Sequence, residues 1–372
     1  MSIADRIRTP GPKKILALDG GGIRGMISVE ILAALETMLR KALKRGDEFV
    51  LADYFDFVAG TSTGAIIAAC IARGMSMSRI REFYLNSGKD MFDPAFIVKR
   101  LYYKYDDDNL SQKLKAELGE GTTLGDATLR AMLMMVMRNA TTDSPWPISN
   151  NPFAKYNQRG RADCNLNLPL WQLVRASTAA PTYFPPEVVR LGEHSFIFVD
   201  GGVTMYNNPA FQAFLMATVE PYQVRWASGE ERMLLVSVGT GVNAEANDKL
   251  SPAQMHLAYQ AGTIPAALMS AAKNEQDFLC RAFGACKVGL PLDREVGDLI
   301  GSQGPAQPKL FTYLRYDADL SPQGLSALGL TGIQAEQVQR MDSVEHVADL
   351  QRIGQAVAGR YLRAEDFSAF SR

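Results

Sequence analysis

The chain is poor in the residues on which small secreted proteins and metal sites depend. Only four cysteines occur in 372 residues, Cys70, Cys164, Cys280 and Cys286. They are scattered and form no C-x-x-C pair, which excludes a disulfide framework and gives no zinc signature. This usage fits a reducing compartment. Only three histidines are present, His194, His256 and His346, so few side chains can serve as an ordinary base or metal ligand. Long apolar runs are missing too. Nowhere do about 18 uncharged apolar residues follow one another, and Met1 to Lys14 lacks the apolar core of a secretory leader. The sequence therefore reads as cytoplasmic. An excess of one charge sign is also absent: 39 Lys and Arg stand against 40 Asp and Glu, a net charge of −1. That excludes a global pull toward a nucleic-acid polymer or an anionic membrane.

What is present is an ordinary globular composition, 47% hydrophobic and 21% charged, which excludes disordered and fibrous chains. No repeat, low-complexity tract or linker divides it. The expectation is one domain over 1–372, with a motif-bearing core at about 13–245 and a helical C-terminal part from about 250. Lys13 to Asp19 is a short apolar run ending in glycines, and Met26, Val29, Leu32, Leu35, Leu39 and Leu43 then recur at helical steps. Tyr54 to Ala59 reads as a second strand, and Thr63 to Arg73 as a helix apolar all round, hence buried, ending at Gly74. Strand, glycine turn and buried helix, twice over, predict a mostly parallel α/β sheet covered on both faces. Leu129 to Val136 reads as strand or buried helix. Its methionines at 132, 134, 135 and 137 suit core filling better than lipid contact. Thr141 to Asn167, with three prolines, reads as a loop or lid. Phe196 to Val199 and Met233 to Val238 read as further strands. A stripe from Val344 to Tyr361 suits internal packing or a dimer face.

Two glycine turns carry chemistry. Gly60-Thr61-Ser62-Thr63-Gly64 fits G-x-S-x-G between a strand and a buried helix. A sharp turn there exposes a serine hydroxyl, and the flanking glycines admit neighbouring backbone. Asp19-Gly20-Gly21-Gly22-Ile23-Arg24-Gly25 is the second. Its N–H groups can form an anion nest, either for a dinucleotide pyrophosphate through Gly20 to Gly25 or for the oxyanion of acyl transfer. The dinucleotide reading needs an acid at the end of the second strand. Ser62 stands there instead, so the oxyanion reading prevails, with Arg24 supporting the loop or the charge. His194 precedes Asp200 by six residues, about 20 Å along an extended strand, which puts it at the opposite edge if Asp200 is at the active one. Asp200, ending an apolar strand before Gly201-Gly202, is the better base. Three turns at the carboxyl ends of strands then supply nucleophile, acid and anion nest.

These residues resemble the patatin-like phospholipase family. The resemblance rests on DGGGIRG at 19–25, GTSTG at 60–64 and DGG at 200–202, with ASTAAP at 176–181, NNP at 207–209 and SVGTG at 237–241 beside them. It implies a three-layer α/β fold and hydrolysis of phospholipid acyl esters by a Ser–Asp dyad without metal or cofactor. Ser62 would be the nucleophile and Asp200 its general base. Gly20, Gly21 and Gly22, with Arg24 in support, would form the oxyanion hole. Peripheral membrane contact follows from such a substrate. Lys99 to Tyr105 mixes basic and aromatic residues as an interfacial patch would, though Asp106 to Asp108 argue against anionic lipid. Some bacterial enzymes of this layout are held inactive until a cyclic nucleotide binds. The tail and the 141–167 loop leave room for such a site and for homo-oligomer contacts. The rival class is a nucleotide-binding module built on Gly20 to Gly25.

Overall fold

The computed structural model describes residues 1–92, 109–181, 184–243 and 257–371; the Lys99 to Tyr105 patch and His256 lie outside them. Nine strands form one sheet: β1 (Lys13–Leu18), β2 (Phe57–Thr61), β3 (Met132–Asn139), β4 (Ser144–Ser149), β5 (Glu187–Leu191), β6 (His194–Asp200), β7 (Met233–Val238), β8 (Ala285–Val288) and β9 (Thr312–Tyr316). The described helices of eight residues or more are α1 (Gly25–Ala42), α2 (Thr63–Ala72), α3 (Met77–Phe92), α4 (Asn109–Leu118), α5 (Leu170–Ser177), α6 (Ala210–Thr218), α7 (Leu257–Phe283) and α8 (Val347–Tyr361).

Strands β3, β2, β1, β7, β9 and β8 run parallel in that order, and β4, β5 and β6 add antiparallel pairings at the β3 side. Side chains alternate between two faces, as strand geometry requires. Leu16, Leu18, Val58, Leu133, Met135 and Met137 enter the core shared with α1, α2 and α8. Ile15, Ala17, Phe57, Ala59, Met132 and Met134 enter the core shared with α6. The result is a three-layer α/β fold. All four methionines of β3 are fully buried, so they fill the two cores and do not meet lipid.

Two sequence expectations need correction, and a third is narrowed to one of its alternatives. Thr141 to Asn167 is not a lid from its start, because Ser144–Ser149 pairs with β3 as an edge strand. Prolines at 145 and 147 are tolerated on such an edge because no further ladder is needed there. The tail is not only helical: β8 and β9 extend the parallel sheet beyond β7. The alternating aromatic run of Thr312–Tyr316, buried throughout, suits a central strand. The stripe toward Tyr361 forms α8, whose Leu350, Ile353 and Val357 are buried inside this chain. A Cβ at Gly354 would collide with the Ile27 carbonyl, so the two helices meet backbone to backbone.

Candidate active site

Register explains why Ser62 and Asp200 meet. β2 pairs with β3 as far as Thr61 opposite Val136, and β6 pairs with β3 from Asp200 opposite Met137. The other edge of residues 134–139 is held by β4. β6 therefore continues in the lane that β2 leaves, running toward it head-on. Asp200 ends an apolar strand, as expected, but that strand does not run parallel to its neighbour. It arrives antiparallel, and the ends of β2 and β6 abut. His194 accordingly lies beyond this same edge, exposed at the β5–β6 turn, not at the opposite side of the sheet.

Ser62 occupies the turn between β2 and α2 with φ 54° and ψ −125°. A non-glycine residue in this region is strained by roughly 1–3 kcal/mol, and the surroundings hold it there. A Cβ at Gly60 would strike the Gly64 carbonyl, and one at Gly64 would strike the Leu18 carbonyl, so neither position admits a larger residue. The Ser62 N–H donates to Ser177 Oγ at 3.0 Å, and that hydroxyl donates onward to the Val136 carbonyl at 2.5 Å. Thr61 Oγ1 donates to the Tyr206 carbonyl at 2.6 Å. The elbow is thus tied to β3, α5 and the loop after β6.

The Ser62 hydroxyl donates to Asp200 Oδ2 at 2.6 Å, and Asp200 Oδ1 accepts the Gly202 N–H at 2.6 Å. Both residues are buried, Ser62 at 8% exposure and Asp200 at 4%. Burial pushes the Asp200 carboxyl up to about 6, against the opposing pull of the Ser62 hydrogen bond, the Gly202 N–H and the charge of Arg175. A carboxylate whose pKa lies near neutrality can take and return a proton at working pH.

The glycine loop follows β1 and packs beside this pair, with Gly20 against Ser62 Cβ. Its N–H groups are not equivalent, which corrects the expectation for Gly20. The Gly20 N–H donates to the Asn207 carbonyl at 3.0 Å and is engaged within the fold. Those of Gly21 and Gly22 have no acceptor among the described residues. The Ile23 N–H donates to the Met341 carbonyl at 3.0 Å, and that carbonyl also packs over Gly22, whose φ is +61°. Asn207 and Met341 thus take two of the loop's N–H groups and leave those of Gly21 and Gly22 open. Arg24 turns toward the C-terminal segment, where its Nη1 donates to the Gln339 carbonyl at 3.1 Å.

A family model described as patatin-like phospholipase matches residues 16–214, more than half of the chain. The chain belongs to this family. Among its patatin-like relatives, Patatin-17 of Solanum cardiophyllum is 32% identical over 248 residues, covering 62% of this chain and 61% of that protein. The 85/88 kDa calcium-independent phospholipase A2 of Mus musculus is 32% identical over 247 residues, covering 61% of this chain and 27% of that one. A cGAMP-activated phospholipase of Escherichia coli (strain TW11681) is 31% identical over 209 residues, covering 54% and 55%. The chain thus spans at most 61% of the length of these three relatives.

Sequence reasoning missed the charged layer under the patatin-like glycine loop. Arg315 on β9 grips Asp19 with two hydrogen bonds, 2.9 and 2.7 Å, and donates to Ser237 Oγ at 2.7 Å and Asp317 Oδ2 at 2.6 Å. Asp317 in turn accepts the Gly241 N–H at 2.7 Å. Lys273 on α7 reaches Asp19 at 3.4 Å, and Asp277 pairs with Arg281 at 2.6 Å. These residues staple the ends of β1, β7 and β9 together. An arginine inside the apolar run TYLRY was the one available signal, since buried charge demands a partner.

Proposed function

We propose that this chain is a lipid acyl hydrolase of phospholipase A type that cleaves fatty-acyl esters of membrane phospholipids. The observation that carries this reading is the buried 2.6 Å hydrogen bond from the Ser62 hydroxyl to Asp200, on a strained turn beside the glycine loop. Family membership and relatives named as phospholipases support it. Asp200 accepts the Ser62 proton while Oγ attacks the ester carbonyl. The N–H groups of Gly21 and Gly22 stabilise the oxyanion, with Gly20 and Arg24 shaping the loop. The tetrahedral intermediate collapses to an acyl-enzyme and expels the lysolipid alcohol, which takes the proton back from Asp200. Water, deprotonated by the same carboxylate, then releases the fatty acid and restores Ser62. The dyad's chemistry requires no metal and no organic cofactor.

Membrane contact is peripheral in this reading, since no helix among the described residues is long and apolar enough to cross a bilayer. Val203 and Met205, just after Asp200, are exposed at 39% and 47%, Ile264 and Leu268 of α7 at 46% and 65%, and Met269 of that helix packs close to Gly202. An apolar rim beside the reacting groups is suited to an acyl-chain interface. Leu268→Ser should reduce co-sedimentation with phosphatidylcholine vesicles without changing the melting temperature. Undiminished binding would move the interface elsewhere.

A controlled form of the same chemistry is the second reading. The relative whose name calls it cGAMP-activated favours it, with a cyclic nucleotide as the switching ligand. The test of the main reading is fatty-acid release from phospholipid vesicles, with and without cyclic nucleotides. Ser62→Ala and Asp200→Asn should each lower the rate by roughly ten-thousand-fold while far-UV circular dichroism stays unchanged. Activity surviving in Ser62→Ala would overturn the proposal.

A further inference from the structure

At the end of the sheet remote from the dyad, a cavity of about 680 Å³ opens beside Lys13, the first residue of β1. The length of β1 sets it roughly 20 Å from the glycine loop. Its wall includes Arg8, Lys13, Phe153, Val224, Arg225 and Trp226, and among the described residues no aspartate or glutamate lines it. The volume lies within the roughly 300–1,000 Å³ of small-ligand sites.

Three cations thus border one space with little to neutralise them. Arg8, at the end of the short helix Ile3–Arg8, holds its guanidinium 4.4 Å from the centre of the Phe153 ring. It makes no ion pair among the described residues, and Asp5, one turn back, is held by Ser2. Arg225 gives one 3.1 Å hydrogen bond to Glu220, with both side chains more than half exposed. The rest of its fork has no acceptor among the described residues. Lys13 is buried and donates to the Arg6 carbonyl at 2.8 Å. Asp56, whose charge supports Lys13, serves Arg6 and Lys14 as well. Cations gathered in this way repel one another, and an anion entering between them relieves that repulsion.

The floor of the cavity is apolar. Ile7, Val224 and Trp226 line it and are buried. The Trp226 indole N–H donates to the Ile7 carbonyl at 2.9 Å, so its ring carries no unmet polar group. Gln223 and Arg225, on either side of Val224, both have positive φ, 61° and 55°. Non-glycine residues held in that region are strained and gather at ligand clamps and other functional sites.

We propose that this cavity docks an acidic peptide segment of a partner protein, its carboxylates held by Arg8 and Arg225 and an apolar side chain seated on Val224 and Trp226. A guanidinium suits a carboxylate, because its planar fork can donate two parallel hydrogen bonds. A bare phosphate would meet the cations but leave most of the space and the apolar floor unused. A nucleic-acid polymer calls for cations along a track, whereas these converge on one pocket in a chain of net charge −1. A membrane docked here would lie at the end of the sheet away from Ser62 and hold its acyl esters far from the dyad. Docking is independent of acyl hydrolysis, since the cavity and the dyad stand at opposite ends of the parallel strands β1 and β2.

The test is calorimetry of the full chain with a hexapeptide of glutamate and leucine, acetyl-Glu-Leu-Glu-Glu-Leu-Glu amide. It should bind, and more weakly as salt rises. Arg8→Gln and Arg225→Gln should each weaken binding by about tenfold or more, the scale of one charge-assisted hydrogen bond. Both arginines are exposed, so neither substitution threatens the fold. Lysine in place of every glutamate of the peptide should abolish binding. Absence of binding at millimolar peptide, or an affinity unmoved by both substitutions, would overturn the proposal. So would tighter binding of an oligonucleotide of equal charge at the same two arginines, or equal binding by glutarate alone, since each assigns the cavity to another ligand.

Discussion

Residues 16–214 and residues 257–371 reach the same sheet edge with different materials. The first segment brings the proposed reactive groups, each placed by a turn of a few small residues: Gly60 to Gly64 for Ser62, Asp200 to Gly202 for the acid, and Gly20 to Gly22 for the loop. The second segment brings charge and backbone that hold the first in position. Asp19 and Arg315 lie 296 residues apart yet form a bidentate pair. Met341 and Gln339 cap the glycine turn through carbonyls, without any side-chain motif. Reactive geometry here is local, whereas its support is long-range. A family model that ends at residue 214 therefore contains the proposed dyad but not all of the framework that holds it.

The sharpest way to break this contrast is Arg315→Met. It leaves Asp19 and Asp317 buried without their main partner, and removing one side of a buried ion pair costs about 3–5 kcal/mol. The urea midpoint should fall sharply with the slope unchanged. An unmoved midpoint would mean that the C-terminal segment does not support the loop.

A smaller effect of opposite sign is expected at the reactive side. Burial raises the Asp200 carboxyl from 3.8 to about 6, so the folded state favours its protonated form. The stability this contributes is complete below pH 3.8 and is lost as pH rises through about 6. At pH 8 the ionised group therefore opposes folding by on the order of 2–3 kcal/mol. The uncharged Asp200→Asn should melt higher than wild type at pH 8 and lose that advantage near pH 4. In wild type, kcat/KM should rise through about pH 6 as the base ionises. A flat profile there, with chemistry rate-limiting, would remove Asp200 from the role of base.

The mildest expected change sharpens the comparison inside the reactive region. Ser177→Ala removes the acceptor of the Ser62 N–H, at a cost of about 1–3 kcal/mol for a buried unsatisfied donor. The turn should relax, lowering kcat by about tenfold with KM little altered. Equal losses in both parameters would indicate a general packing defect instead.

Much of the α/β core was legible in the sequence because its signals are short-range. Apolar runs ending in glycine located β1, β2 and β7, and the unbroken apolar pattern after Ser62 located a buried helix. The stretch 129–136 was ambiguous because a run buried on both faces has no period to read. Only pairing with β2 on one side and β4 on the other settled it as a strand. The strands β8 and β9 were hidden by the strongly helical segments around them.

Residue identity by itself determined which groups could react: a serine between spaced glycines, an aspartate before two glycines, and a run of three glycines after a strand. The scarcity of histidine left few candidates for the usual base. Tertiary structure decided the direction from which Asp200 arrives, because strand orientation depends on pairing partners that are remote in sequence. It also decided which loop N–H groups stay open, since Asn207 and Met341 compete for them from distant segments. The charge balance behind the loop was decided in the same way. A buried ion pair takes its energy from geometry and exclusion of water, and neither is present in a chain until it has folded.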